Sequence, residues 1–180
     1  MTTIVVRDGI MAGDTCATFS SDSSGAGDTV GPCRKIFRVK NSSFGECLVG
    51  LAGESMPGIV FLEWFKNARR RKPAVDLTES KFTALVLCAD GLFEFDGWCV
   101  PDPAEGPFYA TGTGAKAAYG ALHMGASAEL AVEIACKVDP YSRTPVHTMK
   151  LSAARPLTKK AVAIPKQSAV STVVALDKTL

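Results

Sequence analysis

No stretch of this 180-residue chain is apolar for long enough to cross a bilayer, which needs about 20 consecutive residues, so a membrane-spanning protein is not expected. Charge of neither sign dominates: 20 Lys and Arg face 18 Asp and Glu, a net of +2, which gives no case for a nucleic-acid or membrane-surface partner. Histidine is scarce, and His123 and His147 stand at no spacing that makes a catalytic or metal pair, so no metal site is expected from side chains. The six cysteines, Cys16, Cys33, Cys47, Cys88, Cys99 and Cys136, contain no C-x-x-C pair, which removes the usual zinc and redox signatures. Most lie among apolar or small residues, as buried free thiols do, and the cytoplasm is the expected compartment. The N-terminus lacks the basic and apolar regions of a secretory signal, and no internal repeat is visible.

What is present is an ordinary globular composition, 47% hydrophobic and 21% charged, on a chain long enough to bury one real core. The first fourteen residues organise the rest. Ile4–Val6 reads as a buried strand, Asp8-Gly9 as a hairpin turn, and Ile10–Ala12 as a returning strand that ends in Gly13-Asp14. An initiator Met is normally removed when Thr follows, which would leave Thr2 as the mature N-terminus. Its hydroxyl and free α-amine would then share one residue. Such an amine titrates at roughly 7.7–8.0, so part of it is a free base near neutrality, and Thr with its own amine is a recognised activated nucleophile.

Residues 18–32 read as a Ser/Gly/Asp-rich loop. Cys33–Val39 and Glu46–Ala52 read as strands joined by a turn at Asn41–Gly45, and a helix is expected from Pro57 to Arg70, stopped by Pro73. The run Arg69-Arg70-Arg71-Lys72 suits a solvated helix C-terminus, with a docking patch as the alternative. A second hairpin spans Phe82–Ala89 and Leu92–Phe95, with Trp98–Val100 as an extension of the sheet and Pro101–Pro107 as a loop. Phe108–Thr111 is a short strand running into Gly112-Thr113-Gly114. Helices follow at Ala115–Met124 and Ser127–Val138, then a turn at Asp139–Arg143 and a strand at Val146–Leu151. In Ser152–Leu180, Ala161–Ile164 and Ser171–Leu176 read as strands and the Lys- and Pro-containing parts as flexible. The order implies an α+β fold, a four-layer αββα sandwich of two antiparallel sheets flanked by helices. A domain at 1–151 and a C-terminal extension at 152–180 are expected.

Six short segments, in order, resemble the proteasome β-subunit family of N-terminal nucleophile hydrolases, and within it the bacterial HslV-type peptidases. Thr2-Thr3-Ile4-Val5 is similar to the mature start of those subunits, and Ala12-Gly13-Asp14 to the motif that carries a catalytic Asp. Arg34-Lys35-Ile36 resembles the segment with the catalytic Lys. Val49-Gly50-Leu51-Ala52-Gly53 resembles the one whose first Gly supplies an oxyanion N–H. Gly112-Thr113-Gly114 is similar to a Gly-Ser-Gly turn, with Thr in place of Ser. Asp139-Pro140-Tyr141-Ser142 fits an Asp-x-x-Ser motif that orders the nucleophile's amine, although Arg143 stands where many members have Gly.

The resemblance covers residues 2–151. It implies a threonine-type endopeptidase with Thr2 as nucleophile, Lys35 and Asp14 as the charged pair beside it, Gly50 as oxyanion donor, and Thr113, Asp139 and Ser142 orienting the amine. It places Ala17, Phe37, Leu48 and Ala52 around a specificity pocket, whose apolar character implies cleavage after hydrophobic residues. It further implies protein or peptide substrates, homo-oligomeric stacked rings and an ATP-dependent unfoldase partner. No cofactor is implied beyond a structural Na or Mg ion on loop carbonyls near Asp139–Ser142. Two alternatives stay open: an N-terminal nucleophile amidase acting on a small molecule, and a catalytically silent ring or scaffold subunit.

Overall fold

A computed structural model describes residues 2–19, 29–67 and 73–152. Its first hairpin pairs β1 (Thr3–Arg7) with β2 (Ile10–Gly13) through Asp8 and Gly9, both at positive φ (52° and 75°), as the Asp-Gly signature requires. β10 (Phe108–Gly112) and β11 (His147–Lys150) complete an antiparallel sheet of order β10-β1-β2-β11. A second antiparallel sheet runs β5-β6-β7-β8-β9, from Ile36–Asn41, Gly45–Gly53, Phe82–Cys88, Gly91–Phe95 and Asp102–Pro103. Three helices are found among the described residues: α1 (Ser55–Asn67), α2 (Ala115–His123) and α3 (Ala128–Val138).

The side chains sort into three cores, and strand alternation explains the sorting. Ile4 and Val6 point one way from β1 and meet Met11, Ile36, Leu48 and Leu85 from both sheets. Val5 points the other way, and with Ala12 and Ala110 it packs against the small residues Ala118, Ala121, Ala131 and Ala135 of α2 and α3. Because both faces are covered, this strand shows a continuous apolar run rather than an alternating one. On the far side of the five-stranded sheet, α1 buries Phe61, Leu62 and Phe65 against Val49, Ala84, Val86 and Phe95. Ser127 caps α3 by accepting from Leu130 N at 3.2 Å, as expected.

The described strands and helices follow the expected order, with two corrections. The stretch 18–32, expected to be loop throughout, contributes strand at both ends: β3 (Cys16–Phe19) pairs with β4 (Thr29–Pro32) as a separate two-stranded sheet. At four residues each, Cys-Ala-Thr-Phe and Thr-Val-Gly-Pro, they are too short and mixed for an apolar alternation to mark them. Trp98–Val100 does not extend the sheet. Asp96 Oδ1 accepts from Trp98 N at 2.8 Å and Asp96 O from Cys99 N at 3.0 Å, which turns the chain. Cys99 takes a left-handed φ of 56°, and Asp102–Pro103 continues the ladder instead. The Arg69–Lys72 run and the strands expected at Ala161–Ile164 and Ser171–Leu176 lie outside the described residues.

Candidate active site

The β1–β2 pairing brings Asp14, just past the end of β2, back beside the start of β1. Thr3 N donates to Asp14 Oδ1 at 2.8 Å, and Asp14 N donates to Thr3 O at 3.1 Å, so the two residues are bracketed in both directions. Lys35, one residue before β5, extends its ammonium onto the same carboxylate at 2.9 and 3.0 Å. Cys16 N and Arg143 N also donate to Asp14 Oδ2, at 3.0 and 3.4 Å. Both charges are withdrawn from water, Asp14 at 1% and Lys35 at 6% exposure. A buried charge is tolerated only when paired and hydrogen-bonded, and this carboxylate meets donors from four parts of the chain.

A different set of groups gathers on the helix side. Thr113 Oγ and Ser142 Oγ both donate to Asp139 Oδ2, at 2.6 and 2.7 Å, and Tyr141 N donates to Oδ1 at 3.3 Å. Asp139 ends α3, its N–H donating to Ala135 O at 2.7 Å. Partial burial pushes its carboxyl up, but the Ser142 and Thr113 hydroxyls and the Tyr141 N–H outweigh this and hold it below the ordinary carboxylate value. Thr113 Oγ also lies 3.4 Å from the Thr2 carbonyl oxygen. The turn that carries Thr113 needs its glycines: Gly112 sits at φ 94°, where a side chain would collide with the Thr2 carbonyl, and a Cβ on Gly114 would collide with Thr3 Oγ.

Thr2 itself is 3% exposed and lines a cleft of about 490 Å³. Lys35 shares that cleft, with Ala17, Leu51, Met56 and Ile59 among the residues of its walls. The structure therefore gathers Thr2, Asp14, Lys35, Thr113, Asp139 and Ser142 around the start of β1, although they are spread over 140 residues of sequence.

Gly50 stands in β6 opposite Ile36, and a Cβ there would come within 2.8 Å of Ile4 Cγ2 and 3.0 Å of Met11 Sδ. Close approach of the two sheets thus demands glycine at this position. Its neighbour Leu51, which donates N–H to Lys35 O at 2.8 Å, lines the cleft, and Gly50 does not.

Of the four residues expected around a specificity pocket, only Ala17 lines the cleft. Leu48 is fully buried in the core between the sheets, on the same face of β6 as Gly50. Ala52, two residues further on, is also buried, and Phe37 packs against the α1 core. Alternation turns these side chains into the protein interior. The exposed wall comes instead from the first turns of α1, where Met56 and Ile59 are 70% and 42% exposed. Two large apolar residues left in solvent near a helix start were the available sequence signal, hidden within α1's wide apolar face. Thr3 was also missed: it is 0% exposed, and its Oγ lies 2.6 Å from Ser142 Oγ. Its signal was a polar residue on the same strand face as Val5.

Among the described residues, no three His, Cys, Asp or Glu side chains gather into a set that could hold a metal ion. None of the described helices is long and apolar enough to cross a membrane.

These antiparallel sheets and helices have the fold of the HslV-type, proteasome-like peptidases. The BPH protein of Thiobacillus denitrificans matches with a TM-score of 0.57 at 21% identity, over 88% of this chain and 99% of that one. The same protein in complex with Epoxomicin matches at 0.56 and 23%, over 84% and 98%. Eukaryotic HslV from Trypanosoma brucei matches at 0.55 and 18%, over 83% and 99%. At these identities the likeness establishes the fold. No protein-family model and no curated protein matches the chain.

Proposed function

We propose that this chain is a threonine-type endopeptidase, an N-terminal nucleophile hydrolase whose nucleophile is Thr2 once Met1 is removed. The observation that carries the reading is the buried Asp14–Lys35 pair, whose lysine lines the same cleft as Thr2. A lysine this deeply buried has high desolvation cost, and a place beside a hydroxyl nucleophile gives it a use.

On this reading Thr2 Oγ attacks a peptide carbonyl. The Thr2 α-amine, directly or through a water, takes the hydroxyl proton and passes it to the leaving amine. An acyl-enzyme remains, and the same amine activates the water that hydrolyses it. The Lys35 ammonium favours the unprotonated amine and the developing negative charge. Asp14 holds that ammonium by charge-assisted hydrogen bonds. An oxyanion donor on this reading has to be a backbone N–H that faces the cleft, so the role expected for Gly50, which does not line it, passes to another N–H of the wall. Loss of such a contact costs about 2.7–4 kcal/mol of transition-state stabilisation. Thr113, Asp139 and Ser142 orient the amine.

The finer fold assignment belongs to the same reading: four layers, with α1 outside one sheet, α2 and α3 outside the other, and a shared core between. So do assembly into stacked rings that enclose Thr2, protein substrates, an ATP-dependent unfoldase partner and a cytoplasmic location. All six cysteines are unpaired, which suits a reducing compartment.

The test is the intact mass of the purified protein before and after incubation with epoxomicin, the compound bound in one of the structural neighbours. Loss of Met1 and one stoichiometric adduct, absent in Thr2→Ala, is the expected result. A retained Met1, or a processed Thr2 that never reacts, would sink the reading and leave a silent ring subunit. An adduct without cleavage of peptides or casein would point to an amidase.

A further inference from the structure

The hydroxyls around Asp139 have a direction that follows from counting protons. Asp139 is held ionised, so its carboxylate only accepts. Ser142 Oγ and Thr113 Oγ each place their single proton on Oδ2. Ser142 then has no proton left for its 2.6 Å bond to Thr3 Oγ, and Thr3 must be the donor there. The chain reads Thr3 O–H to Ser142 O–H to Asp139. Every oxygen along it turns only lone pairs outward. An acceptor-only surface suits a group that brings protons, and an amine is such a group.

We propose that Thr3 is a positioning residue: its hydroxyl carries the polarity of Asp139 to the start of β1 and fixes the orientation of the Thr2 amine. The inference rests on Thr2 being the nucleophile and adds a residue to that site. Thr3 is suited to the role because its backbone is already clamped, by Asp14 on both its N–H and C=O and by pairing with Gly112. Its side chain points to the face of β1 opposite Ile4, toward α3 and the Asp139 turn, and the missing Cβ of Gly114 leaves room for its Oγ. An amine N–H given to this fixed acceptor would turn the nitrogen lone pair toward the Thr2 hydroxyl, as a general base requires.

The titratable groups around this position are Asp14 and Cys16 from the β2–β3 stretch, Lys35 before β5, Cys136 on α3, Asp139 and Arg143. The experiment compares wild type, Thr3→Val and Thr3→Ser. It uses intact mass to confirm Met1 removal, thermal unfolding to confirm the fold, the rate of epoxomicin adduct formation, and the pH profile of kcat/KM on a fluorogenic peptide. Val keeps the shape and the strand preference but not the hydroxyl.

Thr3→Val should lose on the order of 10²-fold in kcat, the scale of a misaligned reacting group, with KM little changed. Its acid limb should move to lower pH, because an ammonium that loses an acceptor is less stable and its pKa falls. Thr3→Ser should restore both rate and limb. A Thr3→Val enzyme with the wild-type rate and profile overturns the proposal. So does an equal loss in both variants with an unmoved limb, which marks packing rather than the hydroxyl. If wild type forms no adduct, the nucleophile reading falls and takes this proposal with it; a reactive wild type beside an indifferent Thr3→Val removes this proposal alone.

Discussion

The two flanks of Thr2 are built from different materials. Toward the five-stranded sheet stands an ion pair, Asp14 and Lys35, almost wholly buried and held by donors from β1, the start of β3 and the Arg143 loop. Toward the helices stands a net of hydroxyls on one carboxylate, and it reaches the surface: Thr113 is exposed and Asp139 half-buried. A buried charge pair has to be complete, because either partner alone is left in a medium that cannot solvate it. Hydroxyl hydrogen bonds at a wet edge have water as a substitute and contribute less to stability. The difference teaches that the ion pair is a requirement of the fold whatever else it does, whereas the hydroxyl net contributes less to stability and, on the proposed reading, would chiefly direct the chemistry.

The sharpest way to break that contrast is Lys35→Met. It strands the Asp14 carboxylate and should destabilise the protein by about 3–5 kcal/mol while abolishing epoxomicin reactivity. Urea unfolding followed beside adduct formation checks both effects, and a stable, reactive variant would reverse the assignment of the flanks. Asp139→Asn is the counterpart. The fold should survive, and hydrogen bonds to a charge are worth about 1.5–3 kcal/mol, so the rate should fall on the order of 10- to 10²-fold.

The pH dependence sharpens the same comparison. Because the folded pKa of Asp139 is lowered, its contribution to stability is full above the unfolded value of about 3.9 and is lost as pH falls through the lower folded value. Asp139 is therefore ionised throughout the range where an α-amine titrates. The acid limb of kcat/KM should belong to the amine, near roughly 7–8, and a limb below the ordinary carboxylate range would reassign it to Asp139.

The smallest effect is expected from the exposed Arg38–Glu46 pair, whose side chains are 42% and 47% exposed. Glu46→Gln should change stability by about 0–1 kcal/mol and leave the reaction untouched, which calibrates the buried pair against a surface one.

Much of the fold was legible because local rules agreed with the tertiary outcome. Asp8-Gly9 could hardly be anything but a tight hairpin turn, and Ser127 capped its helix where expected. β3 and β4 were not legible, since two four-residue strands of mixed character leave no periodic trace. The charged and hydroxyl residues of the candidate site were readable as a set only through the order of six short motifs. Any one of them, taken alone, was as well explained by a turn or a surface side chain.

The lining of the cleft was the least legible part. Phe37, Leu48 and Ala52 were expected there on motif position. The sheets approach so closely at Gly50 that Leu48 belongs to the core between them, and the wall passes to Met56 and Ile59 of α1. Sequence by itself determined the strand and helix order, the apolar faces and the chemistry available at Thr2, Asp14, Lys35 and Asp139, because propensity, period and side-chain type are local properties. Only the tertiary structure decided which of those groups meet, how deeply the ion pair is buried, and that Thr3 joins Ser142, because burial and hydrogen-bond direction depend on neighbours more than a hundred residues away along the chain.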